Sequence, residues 1–112
     1  MKKVEAILSP AKLEEVRELL VRVGVEGMTV SEVRGFGREP EHTEVYRGAE
    51  HAVYGLQQVK VEIVLEDGRV PGLVEELLRA TRSGRMGDGK IFILNVEDAV
   101  RIRTSERSRD AL

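Results

Sequence analysis

The alternation of apolar and polar residues just before Asp67 constrains the fold of this chain more than any other feature. Its apolar members are Val59, Val61, Ile63 and Leu65. Because successive side chains of a strand point to opposite faces, this spacing predicts a strand with one face in the core of the protein. Asp67-Gly68 then predicts a turn. The rest of the chain must therefore supply further strands beside this one and helices to cover it.

The other predicted elements alternate between strands and helices. Three further strands are predicted over Lys3–Leu8, Met28–Phe36 and Ile91–Val96. Two amphipathic helices are predicted, one from Pro10 to Gly24 and one that opens at Pro71, since proline is accepted in a first helical turn and glycine ends helices. The order βαββαβ indicates an α+β chain with a ferredoxin-like fold.

Apolar residues are predicted on both faces of this sheet. The face opposite Val61, Ile63 and Ile93 would carry another set, made of Ile7, Val64, Phe92 and Leu94. Two helices can cover only one face, so we expect copies of the chain to associate through the other. A surface with scattered apolar residues is the alternative.

The segment from Gly37 to Gly55 has neither helical nor strand periodicity. A loop of this length inside a small domain is usually functional. It contains both histidines and both tyrosines of the chain, His42, His51, Tyr46 and Tyr54. Exposed tyrosines favour a recognition surface, because each combines apolar area with a polar tip. An insertion without function is the alternative, and the two histidines lack the spacing typical of a metal site.

The glycine-rich stretch from Thr81 to Lys90 is typical of a loop that meets an anion. Its three glycines let backbone N–H groups approach a ligand closely, and Lys90 adds a positive charge at its exit. Arg101-Ile102-Arg103 follows soon after. A basic surface turn is the alternative interpretation, since glycine pairs occur in many loops.

Composition excludes several classes of function. The chain of 112 residues is the size of one domain, and without cysteine it has no disulfide or thiol chemistry, which favours a reducing cytoplasm. A net charge of -2 gives no general reason to bind nucleic acid. We expect no signal peptide and no direct membrane insertion. No Ser-His-Asp or paired-carboxylate pattern is present, so we do not expect an enzyme.

Four segments resemble the PII signal-transduction proteins of nitrogen control. They are Gly35-Phe36-Gly37-Arg38, Tyr46-Arg47-Gly48-Ala49-Glu50, the run from Thr81 to Phe92, and Arg101-Ile102-Arg103-Thr104. The stretch from Gly84 to Phe92 is the most specific of them. The resemblance runs from end to end, which implies a single PII-like domain over residues 1–112.

The resemblance implies a homotrimer with ATP or ADP bound in clefts between subunits. The loop 82–90 would bind phosphates through Gly87, Asp88, Gly89 and Lys90, with Arg101 and Arg103 of the C-terminal segment 101–112 reaching across the subunit boundary. Gly35, Gly37 and Arg38 would contribute from the base of the long loop. The adenine and ribose end would be lined by Ile7, Thr29, Glu62 and Val64.

Two positions depart from the family pattern for the second ligand, 2-oxoglutarate. Relatives usually have glutamine where this chain has Glu39, and lysine where it has Gln58. Loss of the lysine removes the partner of a carboxylate, at a cost of about 1.5–3 kcal/mol. We therefore expect binding of adenine nucleotides, with Mg²⁺ only as a companion of ATP, and a weak or absent response to 2-oxoglutarate.

The long loop would dock on a target such as an ammonium transporter or a metabolic enzyme. The residues expected to take part are Thr43, Tyr46, Arg47, Ala49, His51 and Tyr54. His51 and Ala49 stand where relatives carry a modified tyrosine and serine, so we expect no uridylylation. Two alternatives remain: a divergent sensor of another small anion or nucleotide with a target outside nitrogen metabolism, and a weak ATPase, for which no base is identified.

Overall fold

The computed structural model describes residues 1–37 and 55–112, together with the backbone of two short strands between these ranges. The six strands are β1 (Lys2–Leu8), β2 (Thr29–Gly35), β3 (Val45–Tyr46), β4 (Ala49–Glu50), β5 (Leu56–Leu65) and β6 (Lys90–Asn95). The two α-helices are α1 (Leu13–Arg22) and α2 (Val70–Thr81), each preceded by one turn of 3₁₀ helix.

The main sheet has four antiparallel strands in the order β2-β5-β1-β6. β1 and β5 occupy its centre, with Ile7 opposite Lys60 on one side and opposite Lys90 on the other. β2 pairs with β5 so that Gly35 lies opposite Leu56. This order, with one helix after β1 and one after β5, is the ferredoxin-like α+β fold that the sequence predicted.

The core lies between one face of the sheet and the two helices. From the sheet it takes alternate residues of β1 and β5, and from the helices it takes residues three or four positions apart, as the two periodicities require. The fully buried side chains of largest volume are Leu19, Ile63, Leu77, Val4, Val16 and Val61. The predicted alternation in β5 is therefore confirmed.

The opposite face of the sheet, here called the open face, carries no helix in the described part of the chain. Phe92 and Leu94 are 48% and 41% exposed, whereas Ile7 and Val64 are half-buried. The strand pairings place these four residues on that face, as the sequence predicted. An apolar surface of this kind is available for contact with another chain.

Helix α1 ends with an identifiable signal. Gly24, at a φ of +78°, ends α1, where Val25 N–H donates to Leu20 O at 2.9 Å and Gly24 N–H to Val21 O at 3.2 Å. This is a Schellman motif, in which a left-handed residue satisfies the last carbonyls of a helix. The guanidinium of Arg69 donates to Val23 O at 2.8 Å and so ties this end to the start of α2.

Several predicted boundaries differ from those observed. β5 begins at Leu56 and not at Val59, because Gln57 and Gln58 interrupt the apolar alternation without interrupting the pairing with β2. Asp67–Arg69 form a 3₁₀ turn that leads directly into α2. The segment between β2 and β5, in which no strand was predicted, contains the antiparallel pair β3 and β4, whose two residues each are too few to show a period. Within the described residues, no helix has the length and apolarity needed to cross a membrane.

Candidate functional site

A cleft of about 360 Å³ lies on the open face, where β1, β5 and β6 meet the glycine-rich loop. It is lined by Ile7, Gly35, Phe36, Gly37, Leu56, Gln58, Gly87, Gly89, Lys90 and Phe92. We call it the phosphate cleft, after the role predicted for its loop. It brings together six residues that the sequence predicted as nucleotide contacts, from three separate segments of the chain: Ile7, Gly35, Gly37, Gly87, Gly89 and Lys90.

Gly89 fixes the loop against β1. Its φ is +101°, and a Cβ atom built on it would lie 1.7 Å from the backbone oxygen of Ile7. Only glycine has both this left-handed conformation and this close approach to a neighbouring backbone at little cost. Gly87, at a φ of +91°, also adopts a conformation that favours glycine. Gly89 therefore approaches the protein's own backbone closely, and the predicted approach of the loop to a ligand stays a prediction.

Asp88 holds the loop together from inside. Its carboxylate accepts hydrogen bonds from the Ser83 hydroxyl, from Ser83 N–H at 2.9 Å and from Gly84 N–H at 3.0 Å. The Ser83 hydroxyl oxygen in turn accepts from Arg85 N–H at 3.2 Å. The hydrogen bonds from Ser83, and then that from Gly84, hold the pKa of Asp88 below its usual range, since they stabilise the carboxylate. Asp88 therefore organises the loop, with its carboxylate engaged by loop donors.

Lys90 brings a positive charge to the phosphate cleft. It is the first residue of β6, is exposed, and lies opposite Ile7 in the sheet. Its ammonium group makes no hydrogen bond or ion pair with any residue in the described ranges. An ammonium without a carboxylate partner beside backbone N–H groups is suited to an anionic ligand.

Gln58 forms part of the opposite wall. Although β5 presents it on the open face, its side chain is buried, with 8% of the residue exposed. A Cβ atom built on Gly35 would lie 2.1 Å from Gln58 Oε1, so the absence of a side chain at position 35 makes room for this carboxamide. The assignment of Gly35 to the nucleotide stays a prediction, and the structure adds that the open side of this glycine faces the Gln58 carboxamide.

Three of the residues predicted for the adenine and ribose end lie in a second cleft. Thr29, Glu62 and Val64 line a space of about 580 Å³ at the other end of β5, together with residues such as Met28 and Arg109. The pairing of Thr29 with Glu62 in the sheet brings them together. The fourth, Ile7, lies in the phosphate cleft instead. Within a single chain, the regions predicted for the adenine and for the phosphates therefore lie in two separate clefts.

Arg101 and Arg103 lie in neither cleft. Both are exposed, in a turn closed by a bridge between Val100 and Arg107 and by the 2.8 Å hydrogen bonds that link Arg101 with Ser105 and with Glu106. Arg101 Nη2 also donates to Leu112 O at 3.0 Å. The two arginines do not meet the phosphate cleft of their own chain.

The base of this C-terminal turn is held by Asp98. Its carboxylate accepts from Ala99 N–H at 2.8 Å and from Arg107 Nη1 at 2.7 Å. The backbone hydrogen bond from Ala99 and the Arg107 guanidinium hold the pKa of Asp98 below its usual range. Asp98 thus joins the two ends of the turn that carries Arg101 and Arg103.

Several predicted residues lie outside the described ranges. These are Arg38, Glu39, Thr43, Arg47, His51 and Tyr54, and for Tyr46 and Ala49 the structure describes only strand backbone. The predictions made for their side chains stay predictions. In the ranges that are described, no three carboxylates or histidines cluster closely enough to hold a metal ion.

Sequence reasoning missed the apolar part of the phosphate cleft. Phe36, Leu56 and Phe92 line it, although none of them was predicted as a site residue. The pairing of Gly35 with Leu56 brings the first two together, and this depends on the early start of β5. Ser83 was also missed, although a serine five residues before an aspartate in a glycine-rich loop is a signal that could have indicated the hydrogen bonds.

The fold and the cleft together define a small ferredoxin-like α+β domain with a glycine-rich loop at one edge of its sheet. Residues 1–106 match the family model of the Nitrogen regulatory protein P-II. The chain belongs to this family of nitrogen regulatory proteins, whose name is that of a regulator and not of an enzyme. The resemblance stated from four sequence segments is therefore confirmed.

Curated relatives match the chain over its whole length. It is 57% identical to the Nitrogen regulatory protein P-II of Microchaete diplosiphon, over 112 residues that cover both chains completely. Identity is 54% to the protein of the same name from Mesorhizobium japonicum and 53% to that from Rhodospirillum rubrum, again with complete coverage of both chains.

Proposed function

We propose that this P-II family protein is a non-enzymatic sensor that binds ATP or ADP and regulates a target protein of nitrogen metabolism. The observation that carries the proposal is the phosphate cleft, in which Lys90 lies beside Gly87 and Gly89 without a carboxylate partner among the described residues. A nucleotide triphosphate supplies the negative charges that such a cleft lacks.

The phosphate end of the nucleotide would contact the loop that Asp88 organises. Because the loop conformation is held by hydrogen bonds within it, little ordering is needed when a ligand arrives. Lys90 would supply a charge-assisted hydrogen bond, worth about 1.5–3 kcal/mol. Asp88 would act through the loop and not as a direct partner of the phosphates.

Completion of the site would require a second copy of the chain. Thr29, Glu62 and Val64 lie in a cleft separate from Lys90, and Arg101 and Arg103 line neither cleft. Association of open faces would bury Phe92 and Leu94, which are about half exposed in one chain. A homotrimer, as the family resemblance implies, would combine the regions of neighbouring chains into one site for the whole nucleotide.

The long loop would carry the signal to the target. Gly37 lines the phosphate cleft at the end of β2, and Leu56 lines it at the start of β5, so both stems of the intervening segment adjoin the bound phosphates. ATP and ADP would favour different conformations of that segment to the extent that they bind them with different affinities. The target, an ammonium transporter or a metabolic enzyme, would then be bound or released.

The response to 2-oxoglutarate would be weak. Gln58 provides a neutral carboxamide where the family pattern has an ammonium group, and its side chain is buried in the wall of the phosphate cleft. A hydrogen bond from this neutral carboxamide would replace a charge-assisted bond to a carboxylate of 2-oxoglutarate, so the expected affinity for 2-oxoglutarate is lower.

Titration calorimetry of the intact protein with Mg-ATP and with ADP tests this proposal. Lys90→Ala is expected to weaken ATP binding about ten- to a hundredfold, because it removes a charge-assisted hydrogen bond. Arg22→Ala is the matched control, since Arg22 is an exposed cation on α1 outside both clefts. Equal ATP affinity in the wild type and the Lys90 variant, or no ATP binding at all, would refute the assignment.

A further inference from the structure

Gln58 is a buried polar side chain that has no hydrogen-bond partner among the residues that the structure describes. It is the single polar residue among the buried ones in the described part of the chain, and no hydrogen bond joins its carboxamide to any residue described there. Burial of an amide without a hydrogen bond is unfavourable, so buried polar groups nearly always have a partner. A ligand in the space that the Gln58 carboxamide faces would supply such a partner.

That space is the phosphate cleft. Gln58 lines it, and the carboxamide takes the room left by the missing side chain of Gly35. The neighbouring wall residues Ile7, Leu56 and Phe92 are apolar and offer no side-chain hydrogen bond. Among the described residues that line it, Gln58 and Lys90 are the two with polar side chains. A cleft of about 360 Å³ is within the range of small-molecule sites.

The carboxamide selects the chemistry of its partner. It has donor hydrogens on Nε2 and an acceptor at Oε1, side by side in one plane. A primary carboxamide is complementary, because two such groups can exchange a pair of N–H···O bonds. A carboxylate has only acceptors, so one of its oxygens would face Oε1 without a hydrogen bond.

We propose that the phosphate cleft binds a small organic anion that carries a primary carboxamide. Gln58 pairs with the carboxamide, and Lys90 binds the anionic end. The inference shares Lys90 with the proposed function and rests on the same suitability of its ammonium for anions, but the specificity comes from Gln58 alone. The ligand class differs from the dicarboxylic acids, for which a buried neutral amide is a poor partner.

Succinamate and succinate are suitable probes, since they differ only in an amide against a carboxylate. Calorimetric titration of the nucleotide-free, intact protein is expected to show about tenfold tighter binding of succinamate, the difference of one to two neutral hydrogen bonds. Gln58→Leu should abolish this preference, because leucine keeps the volume without the polar atoms. Gln57→Leu is the matched control, since Gln57 is exposed on the other side of the same strand.

Equal binding of the two probes by the wild type, or no binding, would overturn the inference, as would a preference that survives in Gln58→Leu. If Gln58→Leu does not fold, Gln58→Lys provides the readout, with an expected reversal in favour of succinate. ATP titration of the same samples separates the two proposals. ATP binding without succinamate preference contradicts only the inference, and succinamate preference without ATP binding contradicts only the nucleotide function.

Discussion

The backbone oxygen of Ile7 lies 1.7 Å from the position that a Cβ atom on Gly89 would occupy. Ile7 belongs to a central strand that pairs on both sides, so it cannot move away without disturbing the sheet. Gly89→Ala should therefore destabilise the protein by roughly 1–3 kcal/mol through steric overlap and a strained φ. Urea denaturation followed by circular dichroism measures this change.

Gly72→Ala is the control, because it is expected to have the opposite effect on the stability of the protein. Gly72 lies in α2, and a Cβ built on it meets nothing within 4 Å. Alanine should stabilise the helix there by about 0.5–1 kcal/mol. A Gly89→Ala protein as stable as the wild type would show that the contact with Ile7 is not rigid.

Removal of the Asp88 carboxylate should loosen the glycine-rich loop. Asp88→Ala leaves the N–H groups of Ser83 and Gly84 without their acceptor, so their hydrogen exchange should become several-fold faster. Asp110→Ala, which removes an exposed carboxylate near the C-terminal end, should leave this exchange unchanged. Unchanged exchange in Asp88→Ala would contradict the role given to Asp88.

The same loop should depend on pH in a defined direction. Hydrogen bonds from Ser83 hold the folded-state pKa of Asp88 below that of the unfolded chain. The contribution of Asp88 is therefore complete above the unfolded value of about 3.9 and is lost as pH falls through the lower folded value. Amide NMR signals of Ser83 and Gly84 should shift below about pH 4 and stay constant above it. A shift near neutral pH would contradict this explanation.

A charge on the open face should prevent self-association. Leu94→Glu places a carboxylate next to Phe92 on this face, opposite Lys3 in the sheet, where its desolvation would oppose contact between chains. Sedimentation is expected to show trimers for the wild type and smaller species for the variant. Val21→Glu is the control, since Val21 is 71% exposed on α1 and far from that face. A wild-type monomer, or a trimeric Leu94→Glu, would overturn the prediction.

Replacement of Gln58 by lysine should strengthen binding of 2-oxoglutarate in the presence of Mg-ATP. The ammonium group would restore a charge-assisted bond, with an expected gain of about ten- to a hundredfold. Calorimetry should give weak or undetectable binding for the wild type. Micromolar binding by the wild type would show that the neutral side chain is sufficient.

The elements that obey one clear period were predictable from the sequence. β5 and the two helices follow from local spacing of apolar residues, and the order of elements then defines the fold. The early start of β5 was not predictable, because glutamine is usually an exposed residue, whereas Gln58 is buried. Its burial depends on Gly35, which is distant in sequence and is brought near only by the pairing of β2 with β5.

The candidate site was predictable in its residue types but not in its internal contacts. The glycines and Lys90 indicated an anion site, and Gly87, Gly89 and Lys90 line one cleft. Its internal contacts depend on the path of the loop in space. Asp88 accepts hydrogen bonds from Ser83, and Gly89 packs on Ile7. The separation of Thr29 from Lys90 likewise could not be read from spacing, since it reflects the strand order, which places them on the two edge strands β2 and β6 with β5 and β1 between them.

The register of β2 and β5 makes the segment between them exchangeable. Gly35 and Leu56 lie opposite each other in the sheet, so the frame already holds the two stems of residues 38–54 together. The entropy cost of closing a loop rises only with the logarithm of its length, by about 0.6 kcal/mol for each doubling. Evolution or protein engineering can therefore change the sequence and length of this segment for new partners, while the sheet that supports it stays the same.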